Sequence, residues 1–366
     1  MRVHFAVPFV LLVAALVPSA AGAVPCPPLQ CGPNTMAAAD GRLVAVTVGT
    51  GPTTAVYDAS TGKRRALIPS GIVSADGKRV VAQAGQELRT YDLARMRVVA
   101  RSKLGVGWLL AGLSADGRRA VVTRRPDDLR TQFAVRGAQP ASITLEGRFQ
   151  FDGLLGNSLF LIEQRPDGYR VRIADLAAGT LDAEPLKGAD EPALIRGLAW
   201  SRLASPDGRY VFTLYLVMGG SGGAMIHALD MRAGTANCIG LPGKNDFIQS
   251  GSYALALAHD GRTLYAASGA NGTIAAVDVG SQRVVKVTHV EKEAVRLANG
   301  RLLPSAALSR DGKTLAFAVG NTLWVYDLAA DRLVRKAPVA EGAVAYSRTG
   351  VLWVAGSDGL LRRVRA

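Results

Sequence analysis

The chain has 366 residues, of which 49% are hydrophobic and only 6% aromatic, and its 43 Lys and Arg against 29 Asp and Glu give a net charge of +14. A chain of this size and apolarity buries a core large enough to fold without disulfides, and beyond the amino terminus no stretch is long and apolar enough to cross a membrane of about 30 Å. The charge is mostly Arg, spread among the repeats at Arg65, Arg79, Arg119, Arg209, Arg262, Arg301 and Arg332; it attracts anions at long range, but no basic run is interleaved with aromatics, so nucleic acid is not an expected partner.

The chain opens on a processing segment. Met1-Arg2 is positive, Phe5 to Val17 is almost wholly apolar, and Ala21-Gly22-Ala23 is a small-residue cleavage site, so residues 1–23 read as a signal peptide and Val24 as the first mature residue. The product is expected outside the cytoplasm, secreted or in the periplasm or cell envelope, and not membrane-spanning. Three cysteines follow. Cys26 and Cys31 lie close together, Cys238 far off. Export favours an oxidised pair, and Cys26–Cys31 is the pairing expected, although spacing leaves a link from either one to Cys238 open. The spacing is neither that of a metal site nor that of a redox motif.

From residue 34 onward one phrase recurs: an apolar strand, an Asp-Gly turn, two further apolar strands with an Asp closing the second, and a fourth strand. The turns are Asp40-Gly41, Asp76-Gly77, Asp116-Gly117, Asp207-Gly208, Asp260-Gly261 and Asp311-Gly312, with degenerate versions at Gly156-Asn157 and Thr349-Gly350. The closing carboxylates are Asp58, Asp92, Asp175, Asp230, Asp278 and Asp327. Gly takes positive φ at low cost and the Asp side chain bonds nearby backbone amides, so both sets read as structural rather than catalytic. Repeats begin near residues 34, 70, 108, 148, 198, 252 and 304, and a shorter eighth begins at Ala343 and stops before a fourth strand. Residues 24–33 stand where an amino-terminal closing strand would, although Pro25, Pro27, Pro28 and Pro33 suit only an outer edge. A period of about 40–45 residues with four short strands predicts an all-β propeller of four-stranded antiparallel blades, occupying 24–366 as one domain. Eight blades are expected, with seven the alternative.

The sixth repeat carries the most specific resemblance. Leu264-Tyr265, Asn271-Gly272-Thr273-Ile274, Val277-Asp278 and Arg283-Val284-Val285 resemble the YVTN-type propeller repeat, and the Tyr-Asp endings resemble WD40-like repeats more broadly. That resemblance implies a fold shared by extracytoplasmic surface and binding proteins, lactonase-like enzymes and quinoprotein subunits. The Gly-His and Trp-Asp pairs of the fuller WD40 signature are missing, so a signalling scaffold is not implied.

Chemistry is sparse. Gly219-Gly220-Ser221-Gly222-Gly223 has the form of a nucleophile elbow, but it lies between two apolar strands rather than between a strand and a helix, and reads as a hairpin loop. His227, His259 and His289 fall at unlike repeat positions and do not predict a shared metal site. No catalytic residue, metal or cofactor is expected. The positional signal that remains is aromatic. Trp108, Phe149, Trp200 and Tyr253 enter the innermost strand of four consecutive repeats at an equivalent place, with Arg196 and Arg301 in the incoming loops. Aromatics at one rim of a propeller channel either stack on a partner or plug the channel. The leading expectation is a monomeric, non-enzymatic propeller that binds a protein, a peptide or an anionic cell-envelope polymer through that face. The alternatives are a lactonase- or hydrolase-type propeller enzyme and an accessory subunit of a periplasmic assembly.

Overall fold

In the computed structural model the described residues are 34–38, 42–47, 53–166, 168–186, 196–217, 223–243, 246–294, 304–339, 342–356 and 360–364. They form eight antiparallel sheets in chain order, seven of four strands and a last one of three. The blades start at Asn34–Ala38, Gly71–Val73, Leu109–Leu113, Phe149–Leu155, Leu198–Ala204, Ala254–Leu257, Ser305–Leu308 and Gly342–Tyr346, within two residues of the starts read from the sequence. The count is eight, and the propeller class stands.

Each blade runs outward from its first strand. The second strand of each blade is covered on both faces by neighbouring blades, so its apolar residues fall at consecutive positions: Tyr210–Leu216 is buried at every position, whereas the outermost Arg283–His289 is mostly exposed. The turns obey the chemistry expected of them. In four blades a Ser stands two residues before the Asp, and Ser74, Ser114, Ser205 and Ser309 each donate to their Asp at 2.6–2.7 Å. The Gly of the described Asp-Gly turns sits at φ of 65–71°, a left-handed conformation that Gly adopts at little cost and residues with a Cβ rarely do. Each closing Asp accepts backbone amides of the turn that follows, as Asp327 does from Ala329 and Ala330 at 3.0 and 2.9 Å.

The ring closes between blades 8 and 1. The innermost strands Gly342–Tyr346 and Asn34–Ala38 lie side by side, and Val44, Val46, Tyr57 and Ala59 of blade 1 pack against Ala345, Trp353 and Ala355 of blade 8. The three strands of blade 8 end at Leu361–Val364; residues 1–33, with the expected signal peptide 1–23 and closing segment 24–33, and Asp40-Gly41, Cys26, Cys31 and Arg301 lie outside the described residues. Among the described residues one short helix, Phe247–Gly251, interrupts the all-β pattern where the chain passes from blade 5 to blade 6, capped by Asp246, whose side chain accepts from the Gln249 amide. No helix among the described residues is long and apolar enough to cross a membrane.

Candidate functional site

The loops that bring the chain from one blade's outer strand to the next blade's inner strand surround one mouth of the channel, and the four aromatics stand at that edge. They face different ways. Trp108 is half-buried, with the guanidinium groups of Arg124 and Arg136 centred 4.8 and 5.7 Å from its ring. Phe149 is 3% exposed and packs in the core of blades 3 and 4. Trp200 turns toward blade 6, donating its indole N–H to the Gly251 carbonyl at 2.9 Å and meeting Phe247 edge-on at 5.4 Å. Tyr253 is 1% exposed. Its hydroxyl bonds the Pro242 carbonyl and lies 3.0 Å from Thr273 Oγ1, and burial pushes its pKa up to about 12. Arg196 is exposed just before Leu198–Ala204.

What sets blades 3, 4 and 5 apart is their innermost strands. In each, one extra residue breaks the register with the second strand: Ala111 in blade 3, Asp152 in blade 4 and Trp200 in blade 5. The first strand pairs without a shift in blades 1, 2, 6, 7 and 8. A bulge reverses the side to which later residues point, which is how Ala199 and Arg202, three apart, come to line the same cavity.

That cavity, of about 230 Å³, opens at this mouth between the three bulged strands. Leu109, Ala111, Phe149, Phe151, Ile162 and Ala199 make it largely apolar. Gly112 makes room for one of its walls, since a Cβ there would fall 2.0 Å from the Phe151 ring. Deeper in stand Asp152 and Arg202, joined at 3.3 Å with side chains 1% and 5% exposed, and the Arg202 guanidinium lies 5.4 Å from the Phe151 ring centre. Burial holds the Arg202 pKa below its ordinary value, against the opposing pull of Asp152.

The pair is incompletely satisfied. Asp152 Oδ2, Arg202 Nε, Gln150 Nε2 and Thr213 Oγ1 are all buried without a hydrogen-bond partner, and all four residues line the cavity. A buried charge pair with spare lone pairs and protons is costly unless something else completes it. Behind it, at the junction of blades 4 and 5, Tyr169 and Tyr215 stack at 4.8 Å, and burial raises both phenol pKa values.

The rim is cationic. Arg124 is fixed by Gln132 Oε1 at 2.5 Å, while Arg125 makes no hydrogen bond among the described residues and has its pKa lowered by burial first and by neighbouring Arg148 second. Asp128, whose charge acts on Arg125, is almost fully solvated and meets Arg148 only at 3.9 Å. The opposite mouth holds a wider space of about 690 Å³, walled by Ala and Leu with His259, Arg310 and Arg348 among its lining residues.

Three further sequence expectations can be placed. The Gly-x-Ser-x-Gly segment connects two paired strands, with the Val217 amide donating to the Gly223 carbonyl at 2.8 Å; residues 218–222 lie outside the described ones. His227 sits mid-strand in blade 5, His259 in a turn and His289 at a strand end. No cluster of three or more His, Cys, Asp or Glu suited to a metal occurs among the described residues. Sequence reasoning did not single out Asp152, Arg202, Gln150, Thr213 or Arg125. A signal existed: Asp152 and Arg202 are charges in innermost strands that elsewhere read Ala254-Leu255-Ala256-Leu257 or Ser305-Ala306-Ala307-Leu308.

No family model matches this chain, and no curated protein does. Among solved structures it is similar to hydrazine synthase of Kuenenia stuttgartiensis at 14% identity and a TM-score of 0.51, covering 96% of this chain and 99% of that one. It is similar also to AztD of Citrobacter koseri at 11% identity and a TM-score of 0.57, covering 84% and 86%. At such identities the likeness is one of fold, and propellers of one fold carry unrelated functions.

Proposed function

We propose that this protein is an exported, non-enzymatic β-propeller that holds a protein, peptide or anionic envelope polymer at the channel mouth framed by blades 3 to 5. The observation that carries the reading is the cavity at that mouth. Bulges occur in the innermost strands of the three blades that build it and not in those of the other five, and such bulges recur beside functional sites because they re-aim side chains. Trp108, partly exposed between two guanidinium groups, supplies an aromatic contact of the kind that anchors interfaces. Export rests on the charged start, apolar run and small-residue cleavage site of residues 1–23.

The test is capture from the envelope fraction with the immobilised protein and a Leu109→Glu variant. Leu109 is exposed and lines the cavity, so the change blocks the mouth without disturbing the core. A partner held by the wild type and lost by the variant, at equal melting temperature, supports the reading; equal retention overturns it. Amino-terminal sequencing of the material recovered should begin at Val24, and an intact Met1 on cytoplasmic protein would overturn export.

A further inference from the structure

We infer that the cavity between blades 3, 4 and 5 is the seat of a small amphipathic organic anion. Its carboxylate sits at the Arg125 rim, its apolar body lies between Leu109, Phe149 and Phe151, and a hydrogen-bonding tip reaches Asp152. The inference rests on the reading of this mouth as the binding face and names the chemistry it recognises.

Each part of the ligand answers a separate feature. At the rim, Arg124 and Arg125 line the cavity, and Arg125 feels the like charge of Arg148 while its counter-charge Asp128 is almost fully solvated. Like charges crowded at a partly desolvated mouth favour an anion there. The walls are aliphatic and aromatic, and apolar surface of that kind is stabilised by an apolar group. At depth, the free lone pair of Asp152 Oδ2 calls for a donor, while Arg202 Nε and Gln150 Nε2 call for an acceptor. A hydroxyl is both.

Size narrows the class. A space of about 230 Å³ falls below the ~300–1,000 Å³ of pockets for drug-sized ligands. It fits one ring or branched chain with its two polar ends. Two sources share this chemistry: a free hydroxy-acid, and the carboxy-terminal residue of a polypeptide with its free carboxylate.

The experiment is calorimetric titration of the purified protein with 3-(4-hydroxyphenyl)propionate, with 3-phenylpropionate, which lacks the tip, and with tyramine, which replaces the anion by a cation. A neutral decapeptide ending in Tyr, as free acid and as amide, forms the second arm. The hydroxy-acid is expected to bind saturably, phenylpropionate about tenfold or more weakly because it leaves buried polar groups unmatched, and tyramine not at all. Arg125→Gln should weaken the hydroxy-acid about tenfold, as loss of a charge-assisted hydrogen bond does, with the melting temperature unchanged. Arg125 stands at the rim, so this variant tests the ligand even if Asp152→Asn fails to fold.

Binding by the free-acid peptide but not the amide assigns the seat to a chain end, and binding by the small acid alone assigns it to a free molecule. The inference is overturned if neither the hydroxy-acid nor the free-acid peptide binds, if tyramine binds as well as the acid, or if Arg125→Gln leaves affinity intact. Should the acids fail while envelope capture remains sensitive to Leu109→Glu, the binding face survives and only the ligand chemistry falls.

Discussion

Trp353 in the last blade donates its indole N–H to the carbonyl of Ala59 in the first, 3.0 Å away. This bond crosses the seam of the ring between residues 294 apart in sequence, and the indole fits there because Gly62 leaves it space: a Cβ on Gly62 would fall 2.6 Å from the ring. Among the described residues the seam is held by this packing and by the two innermost strands, with no strand exchanged between the blades. Trp353→Ala should therefore cost about 3–5 kcal/mol, the range for truncating a buried large aromatic. Trp353→Phe, which keeps most of the area but strands the Ala59 carbonyl, should cost about 1–3 kcal/mol. Denaturant unfolding checks both; an unchanged midpoint for the Ala variant would mean that the seam is secured elsewhere.

The four aromatics at the mouth should separate by burial. Tyr253, wholly enclosed and hydrogen-bonded, should lose about 3–5 kcal/mol on change to Ala, whereas half-buried Trp108 should lose clearly less while partner capture weakens. Paired melting curves and capture assays on Tyr253→Ala and Trp108→Ala decide this. A Trp108→Ala protein that captures normally would remove that residue from the interface.

The buried pair at the cavity floor should show the asymmetry of enclosed charges. Removing Asp152 alone, as Asp152→Ala, leaves the Arg202 guanidinium without its counter-charge and should cost about 3–5 kcal/mol. The double variant Asp152→Leu with Arg202→Met should recover most of that loss, since an apolar pair of similar volume avoids the desolvation of both ions. A double variant no more stable than the single one would show that the ion pair does more than neutralise itself.

Acid should weaken the turns first. The Ser309 hydroxyl and then the Lys313 amide hold the Asp311 carboxyl below the usual carboxylate range, and Ser60 does the same for Asp58 and Ser281 for Asp278. A carboxylate whose pKa is depressed on folding contributes stability that is complete above its unfolded value, about 3.9, and is lost as pH falls through the lower folded value. Stability should thus decline below about pH 4, and the decline should be shallower in Asp311→Asn. Urea midpoints between pH 2 and 7 measure it; identical pH profiles for the two proteins would contradict the assignment.

The architecture was legible because its causes are local. Asp-Gly turns, apolar runs of strand length and a closing Asp each act within a few residues, so their spacing marks eight blades and the structural role of the repeated carboxylates that the described residues include. Locality also explains what stayed hidden. Trp108, Phe149, Trp200 and Tyr253 hold equivalent places in their repeats, yet whether each is enclosed or open depends on the neighbouring blade: Pro242 and Thr273 close over Tyr253, while two Arg flank Trp108. Asp152 and Arg202 stand fifty residues apart in sequence and 3.3 Å apart in space. Register shifts in two adjacent blades accompany their meeting in the lining of one cavity. A register shift is a property of a strand and its partner together, so the sequence by itself determined the ring and its turns, and only the packing of three blades against one another decided where the ring has a cavity and which charges line it.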